Sequence, residues 1–313
     1  MNTHPSMQSL VQRYLAHRRN LGYDLRGVEH DLNSFAQLAD REAPGAPITT
    51  ALAMQWATQC KSTDRGYRSH RLSSVRNFAR FCAALDPRTQ VPSTHLLSTK
   101  WSRCAPHLYT KLQVRQMMRR ARRLAPNDHP LRPFLYQTLI GLLYCTGLRI
   151  GEALRLQITD LDVKHGTLRV PGHKFSCERI LPLAPSTIRA LQRYVHLRTR
   201  LCPFGSHLFV DRHGRGMSGA QTRKTFRKLT GFIKPNGARP RPRWHDFRHS
   251  FASRVIAHWS DHDEPVAHHL LFLSRYLGHK SFQETWWYVS PTPAVLEAAS
   301  ARFQAYQRNP NLL

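Results

Sequence analysis

Three short segments of this 313-residue sequence carry side chains suited to phosphate chemistry. The first runs Thr146-Gly147-Leu148-Arg149-Ile150-Gly151-Glu152 and sets an arginine just beyond an apolar stretch, with a glycine on either side. Such an arginine can project into a cleft, and Glu152, one helical turn on, can hold its guanidinium. The second runs His245-Asp246-Phe247-Arg248-His249, where His245 and Arg248 are three apart and share a helix face, so both can address one phosphate. The third is Tyr276-Leu277-Gly278-His279, followed by Trp286-Trp287-Tyr288-Val289, which puts Tyr288 nine positions after His279. Moving a phosphodiester onto a protein nucleophile creates a crowded, anionic, pentacoordinate phosphate. Arginine suits that charge because its planar fork grips two oxygens and never deprotonates. The nucleophile must lose a proton and the leaving 5′-oxygen must gain one. Taken singly, each segment also has a plainer reading: an ion pair on a helix, a chance His-x-x-Arg among 19 histidines, a structural tyrosine.

These residues need elements to position them. The first hundred residues read as helices. Met7, Leu10, Val11, Tyr14 and Leu15 repeat at the spacing of one helix face, and Leu32, Phe35, Ala36 and Ala39 suggest a second helix. Thr49 or Thr50 can cap a third through Leu52 and Trp56. A fourth, about Tyr67 to Leu85, buries Leu72, Val75, Phe78, Ala79 and Cys82. Arg65, Arg68, Arg71, Arg76 and Arg80 are expected on its other face, where they would meet DNA phosphates. From Asp86 to Pro106 the periodicity is lost and prolines break any helix, so a linker and a domain boundary are expected there.

Beyond it the chain mixes helix and strand. A basic helix is expected over Lys111 to Leu124, then a buried one over Leu135 to Cys145 that ends at Thr146-Gly147. The turn His165-Gly166 between Asp162-Val163-Lys164 and Thr167-Leu168-Arg169-Val170 marks a β-hairpin, and Arg179 to Leu183 would add a third strand. Further helices are expected at about Pro185 to Arg200, Gly219 to Phe232, from near His245, and at about Pro293 to Tyr306. The fold class expected is mainly α with a small antiparallel sheet. The domains would be a helical bundle over 1–100 and a second domain over 106–313.

Charge narrows the partners. Lys and Arg number 47 against 19 Asp and Glu, a formal +28, and such an excess is best tolerated beside a polyanion. Neutralising phosphates with counterion release would give strong, salt-sensitive nucleic-acid binding. A basic surface kept for solubility, or an anionic membrane, would explain the charge less well, since no long basic amphipathic helix stands out. Cys60, Cys82, Cys104, Cys145, Cys177 and Cys202 form no Cys-x-x-Cys pair, which fits a reducing cytoplasm. The amino terminus lacks a signal-peptide core, and the apolar stretch Phe134 to Leu148 is too short to span a bilayer. A cytoplasmic, nucleoid-associated protein is expected.

In order and spacing, TGLRIGE, HDFRH, LGH and a tyrosine nine residues after that histidine resemble the tyrosine recombinase, or phage integrase, family along the whole chain. The resemblance implies a SAM-like, core-binding DNA-gripping domain over 1–100 and the integrase-type catalytic domain over 106–313. It makes Arg149 and Arg248 the phosphate-binding arginines, Tyr288 the nucleophile, and His245 and His279 neighbours of the scissile phosphate. Glu152 matches the acidic residue that supports the first arginine. The family's catalytic lysine lies in a β-hairpin between the first arginine and the His-x-x-Arg. Lys174, just before Arg179-Ile180-Leu181-Pro182-Leu183, is the choice here and Lys164 the alternative.

The implied activity is site-specific recombination of double-stranded DNA through a 3′-phosphotyrosyl bond and a Holliday junction, for integration, transposition or resolution of a mobile element. The bond energy stays in the phosphotyrosine, so neither metal nor cofactor is implied, and the histidines show no metal-ligand spacing. A homo-tetramer on DNA, or a hetero-oligomer with related recombinases, is the expected assembly, with no membrane. The last helix, with Val295, Ala299, Phe303 and Tyr306 on one stripe, is expected to dock on its own domain or a neighbouring subunit. The ending Trp287-Tyr288-Val289-Ser290-Pro291-Thr292-Pro293 resembles recombinases carried by bacterial transposons. A type IB topoisomerase shares the first chemical step, but the Leu-Gly-His to Tyr spacing and the separate helical domain favour the recombinase. A non-catalytic DNA-binding protein would not need all these reactive positions.

Overall fold

The computed structural model describes residues 5–23, 25–60, 62–97, 106–126, 129–172, 178–234, 241–261, 266–279 and 281–286. The chain divides into two compact units, Met1–Arg103 and Cys104–Leu313.

Among the described residues, the first unit is built from four helices. α1 (Met7–Asn20) starts at Ser6, whose hydroxyl accepts from the Ser9 N–H. α2 (Arg26–Glu42) follows, and α3 (Thr50–Thr58) starts where Thr49 Oγ1 accepts from the Leu52 N–H at 3.1 Å. α4 (Arg65–Ala83) is capped by Asp64. Val11, Leu15, Leu32, Phe35, Ala36, Trp56, Leu72, Val75 and Phe78 make a continuous core. Each large side chain buried there contributes about 1.5–3 kcal/mol.

Two expectations for this unit change. The segment after α4 is not a free linker over its first half. The Gln90 N–H donates to the Ile48 carbonyl, and Leu96 and Leu97 pack on the core. The five arginines of α4 do not form one solvent face either. Arg65 and Arg80 are exposed, whereas Arg76 is buried and donates to the carbonyls of Pro92 and Ser93 at 2.8 Å each. Its guanidinium ties down the following segment. Arg71 is half-buried, donates to the Trp56 carbonyl and lies 3.8 Å over the Trp56 ring. Arg68 donates to the Ser62 carbonyl.

The second unit is mainly helical with one small sheet. α5 (Lys111–Arg122) opens with a Thr110–Gln113 capping box. It packs on α6 (Arg132–Thr146), whose Leu135, Leu139, Ile140 and Leu143 are fully buried. α6 stops at Gly147, at φ +63°, where a Cβ would sit 2.7 Å from the Phe251 ring. Left-handed backbone and lack of room both demand glycine there, and the turn delivers Arg149 to the start of α7 (Ile150–Arg155). A 3₁₀ turn, Ile158–Asp160, leads into the antiparallel sheet of β1 (Leu161–Asp162), β2 (Thr167–Val170) and β3 (Arg179–Pro182), in that order. Leu168 pairs with Leu161 on one side and Leu181 on the other, burying the inward face.

α8 (Pro185–Leu201) and α9 (Gly219–Thr230) follow, then α10 (Asp246–Asp261), α11 (Val266–Leu277) and the short α12 (Phe282–Trp286). α11 and α12 carry the residues around His279 and were not expected as helices. The helix expected over Pro293 to Tyr306 lies outside the described residues, as do Lys174, Trp287 and Tyr288. Among the described residues no helix is long and apolar enough to cross a membrane.

Candidate active site

Arg149 stands between the end of α6 and the first turn of α7. Its backbone N–H donates to Glu152 Oε2 at 2.9 Å, and its Nη1 donates to Glu152 Oε1 and to the Gly278 carbonyl, both at 3.1 Å. Its side chain keeps 34% of its surface open, so one edge of the guanidinium can still be reached. On that side Glu284 Oε2, from α12, approaches Nη2 at 3.7 Å.

Arg248 lies in the first turn of α10 and is fully buried. Its Nη1 donates to the Gly147 carbonyl at 3.1 Å and its Nη2 to the Leu277 carbonyl at 2.6 Å. Arg248 thus grips both the turn ending α6, just ahead of Arg149, and the turn ending α11, and Arg149 grips the second of these as well. Gly278 makes the second turn, at φ +67°, and a Cβ there would lie 2.8 Å from Arg179 Nη1.

Glu152 is almost completely buried among these cations. Burial works against its charge, but hydrogen bonds and charge from Arg179, the Arg149 N–H and the charge of Arg248 outweigh it and hold its carboxyl below the usual range. Arg179 was read in the sequence only as a strand residue. It donates to Glu152 through Nη1 at 3.3 Å and Nη2 at 2.9 Å, and its Nε donates to the Tyr276 carbonyl at 2.8 Å.

The two histidines are held neutral. His245 immediately precedes α10 and remains open to solvent on one side. The protein packed around its ring, followed by the charges of Arg248, Arg149 and Arg243, lowers its pKa to about 4, against a smaller opposing pull from Glu152. His279 follows the Gly278 turn, and burial, then Arg248, Arg149, His245 and Arg179, lower its pKa to about 3. Its Nδ1 lies 2.6 Å from the hydroxyl of Thr285, a fully buried residue of α12. An imidazole kept neutral can accept a proton or donate one N–H to a phosphate oxygen.

Arg149, Glu152, His245, Arg248 and His279 are therefore gathered around the two turns. Lys164, the alternative lysine, is exposed in the turn between β1 and β2. Lys174 and Tyr288 lie outside the described residues, in sequence five positions before Arg179 and two after Trp286. Tyr276 is half-buried, stacks on Phe251 at 5.4 Å between ring centroids, and burial raises its phenol to about 12. That is the setting of a packing residue. Among the described residues no group of three or more His, Cys, Asp or Glu is placed to hold a metal ion.

Arg179, Thr285 and Glu284 escaped the sequence reading. Only their positions in the fold, six residues or more from the groups they touch in all three cases, reveal them.

A family model described as the phage integrase family matches residues 108–294. The putative integrase/recombinase y4rB of Sinorhizobium fredii is 35% identical over 308 residues, covering 96% of this chain and 97% of that protein. The tyrosine recombinase XerD of Oceanobacillus iheyensis is 28% identical over 285 residues, covering 87% of this chain and 89% of that protein. Among solved structures, the XerH site-specific recombinase in a post-cleavage complex with a palindromic difH substrate superposes with a TM-score of 0.67 at 15% identity, covering 97% and 98% of the two chains. The Tn1549 transposon integrase in complex with transposon right-end DNA gives 0.65 at 18% identity, covering 96% and 99%. These two structural likenesses concern the fold, which is mainly α with a small antiparallel sheet.

Proposed function

The chain belongs to the phage integrase family, and from that premise we propose that it is a tyrosine-type site-specific recombinase that cuts and rejoins double-stranded DNA. The observation that carries this reading is the convergence of Arg149 and Arg248 on the carbonyls of Gly147, Leu277 and Gly278, beside two neutral imidazoles.

In the proposed reaction the Tyr288 phenolate attacks the scissile phosphorus. A P–O bond forms to tyrosine and the P–O bond to the 5′-oxygen breaks, leaving a 3′-phosphotyrosyl linkage and a free 5′-hydroxyl. Arg149 and Arg248 carry fixed positive charge to the phosphate, and His279 donates an N–H to a non-bridging oxygen. His245 takes the phenolic proton, and Lys174 supplies a proton to the leaving oxygen. An incoming phosphate also offsets the cationic surroundings that lower the His245 pKa, so its basicity rises when DNA arrives. Attack by the 5′-hydroxyl of a partner strand reverses the step, first to a Holliday junction and then to recombinant duplex.

The helical unit of residues 1–103 serves as the DNA-gripping part, with Arg65 and Arg80 as its exposed cations on α4. Strand exchange between two duplexes needs four active sites, so the working assembly is a homo-tetramer on DNA or a hetero-oligomer with a related recombinase. The formal charge of +28 suits a protein that works at the nucleoid in the cytoplasm. The errand is movement or resolution of a mobile element, supported by the likeness to y4rB and to the fold of the Tn1549 integrase.

The test is a nicked suicide substrate carrying the element's own end. The wild-type protein should become covalently attached at a 3′-phosphate, and Tyr288→Phe should not. Undiminished trapping by the Phe variant would remove Tyr288 from its role.

A further inference from the structure

We propose that Arg179 is a positioning residue for strand cleavage, acting through Glu152 on Arg149 and through the turn at Gly278 on His279. This rests on the reading of Arg149 as a phosphate-binding arginine.

The geometry begins with charge. Arg149 and Glu152 alone would form a closed pair, one cation against one carboxylate, with little charge left over for DNA. Arg179 is the second cation on that carboxylate, bidentate through Nη1 and Nη2, and its side chain is only 10% exposed. Two guanidiniums on this carboxylate leave one net positive charge among the three groups, and Arg149 is the more open of the two arginines. Glu284, 3.7 Å from its Nη2, is exposed and so screened. The arrangement also fixes direction. Glu152 has two oxygens, and each accepts from both arginines' side of the site: Oε1 from Arg149 Nη1 and Arg179 Nη1, Oε2 from the Arg149 N–H and Arg179 Nη2. A carboxylate so occupied cannot rotate to draw Arg149 away from the open side.

The remaining donor extends the grip. Arg179 Nε holds the Tyr276 carbonyl, two residues before Gly278 and three before His279. Its guanidinium fills the space that a Cβ at Gly278 would need. Arg179 thereby ties β3, the strand that follows the segment containing Lys174, to both the first arginine and the turn that presents His279. Lysine cannot replace all of this, since one ammonium cannot make the bidentate contact and reach Tyr276 as well.

The experiment compares two suicide substrates, one with the natural scissile phosphodiester and one with a neutral methylphosphonate in its place. The quantity read is the ratio of covalent-complex formation rates on the two. Arg149→Ala should lower that ratio, because it removes charge that only the anionic substrate needs. Arg179→Gln should lower it in the same direction by roughly tenfold, the lower end of what outer-sphere partners of charged sites contribute. DNA binding and thermal unfolding are measured alongside. A residue that merely supports the fold would slow both substrates equally. Arg179→Lys keeps the charge without the full grip and should fall between wild type and Arg179→Gln; it is the variant read if the glutamine protein does not fold. A wild-type ratio in the folded variant overturns the proposal. If instead Arg149→Ala leaves the ratio unchanged while wild-type protein cleaves, the reading of the site fails, and the role of Arg179 with it.

Discussion

The hydroxyl of Thr285 lies 2.6 Å from Nδ1 of His279, and no part of Thr285 reaches solvent. The contact engages Nδ1 and holds the ring, so Nε2 is the nitrogen that would address a phosphate. Thr285→Val keeps the shape and removes the hydroxyl, so DNA affinity should persist while covalent-complex formation slows roughly tenfold. Thr285→Ser should retain most of the wild-type rate. Equal rates for Val and wild type would show that the ring is held by its packing alone.

Arg76 separates structure from binding within the first unit. It is buried and donates to Pro92 and Ser93, whereas Arg65 and Arg80 on the same helix are exposed. Arg76→Ala should lower unfolding stability by about 1–3 kcal/mol, the cost of leaving the buried Pro92 acceptor without its donor. It should leave the salt dependence of DNA binding unchanged. The double variant Arg65→Ala/Arg80→Ala should do the reverse, keeping stability and flattening the plot of log affinity against log salt by up to about two charges. A flattened plot for Arg76→Ala would mean that this arginine meets phosphate after all.

The contrast between those arginines shows what a sequence can and cannot disclose. Local signals were readable: the Thr49 cap of α3, the helix stripe of Met7, Val11, Tyr14 and Leu15, and the His165-Gly166 turn depend on neighbours a few residues away. The spacing of Arg149, Arg248 and His279 was readable because their motifs are short and ordered. The burial of Arg76 was not legible because a charged residue on a helix is ordinarily solvated, and only the later segment at Pro92 and Ser93 covers it. Arg179 meets Glu152 across 27 residues and Tyr276 across 97, separations that carry no local pattern. α11 was missed because VAHHLLFL has no clear polar face, and α12 because five residues are too few for a period to register.

Gly278 joins backbone conformation to the charge network. Its φ is +67°, and a Cβ would lie 2.8 Å from Arg179 Nη1. Gly278→Ala should cost about 1–2 kcal/mol of stability from the left-handed backbone alone. Displacing Arg179 should in addition slow cleavage beyond what the stability loss explains, measured well below the unfolding temperature. A variant that loses stability yet cleaves at the wild-type rate would show that Arg179 yields to a methyl group without consequence for Arg149.

Acid should loosen this protein through three histidines whose pKa values are lowered in the fold. His245, His249 and His279 are lowered to about 4, 3 and 3, in each case first by burial and then by nearby cations or histidine. In the unfolded chain each takes a proton near pH 6.5. Between that pH and the folded value the unfolded state binds more protons, so stability is fully present above about pH 6.5 and falls as the pH drops toward 4 and 3. For His249, which is buried, the slope is at most about 1.4 kcal/mol per pH unit. Denaturant midpoints measured without DNA should therefore decline from pH 7 to pH 4.5, and His249→Gln should make the decline shallower. Saturating DNA should oppose it, because bound phosphate favours the protonated imidazoles at the site. Stability that stays level across this range would mean that the three rings accept protons in the folded state as readily as in water.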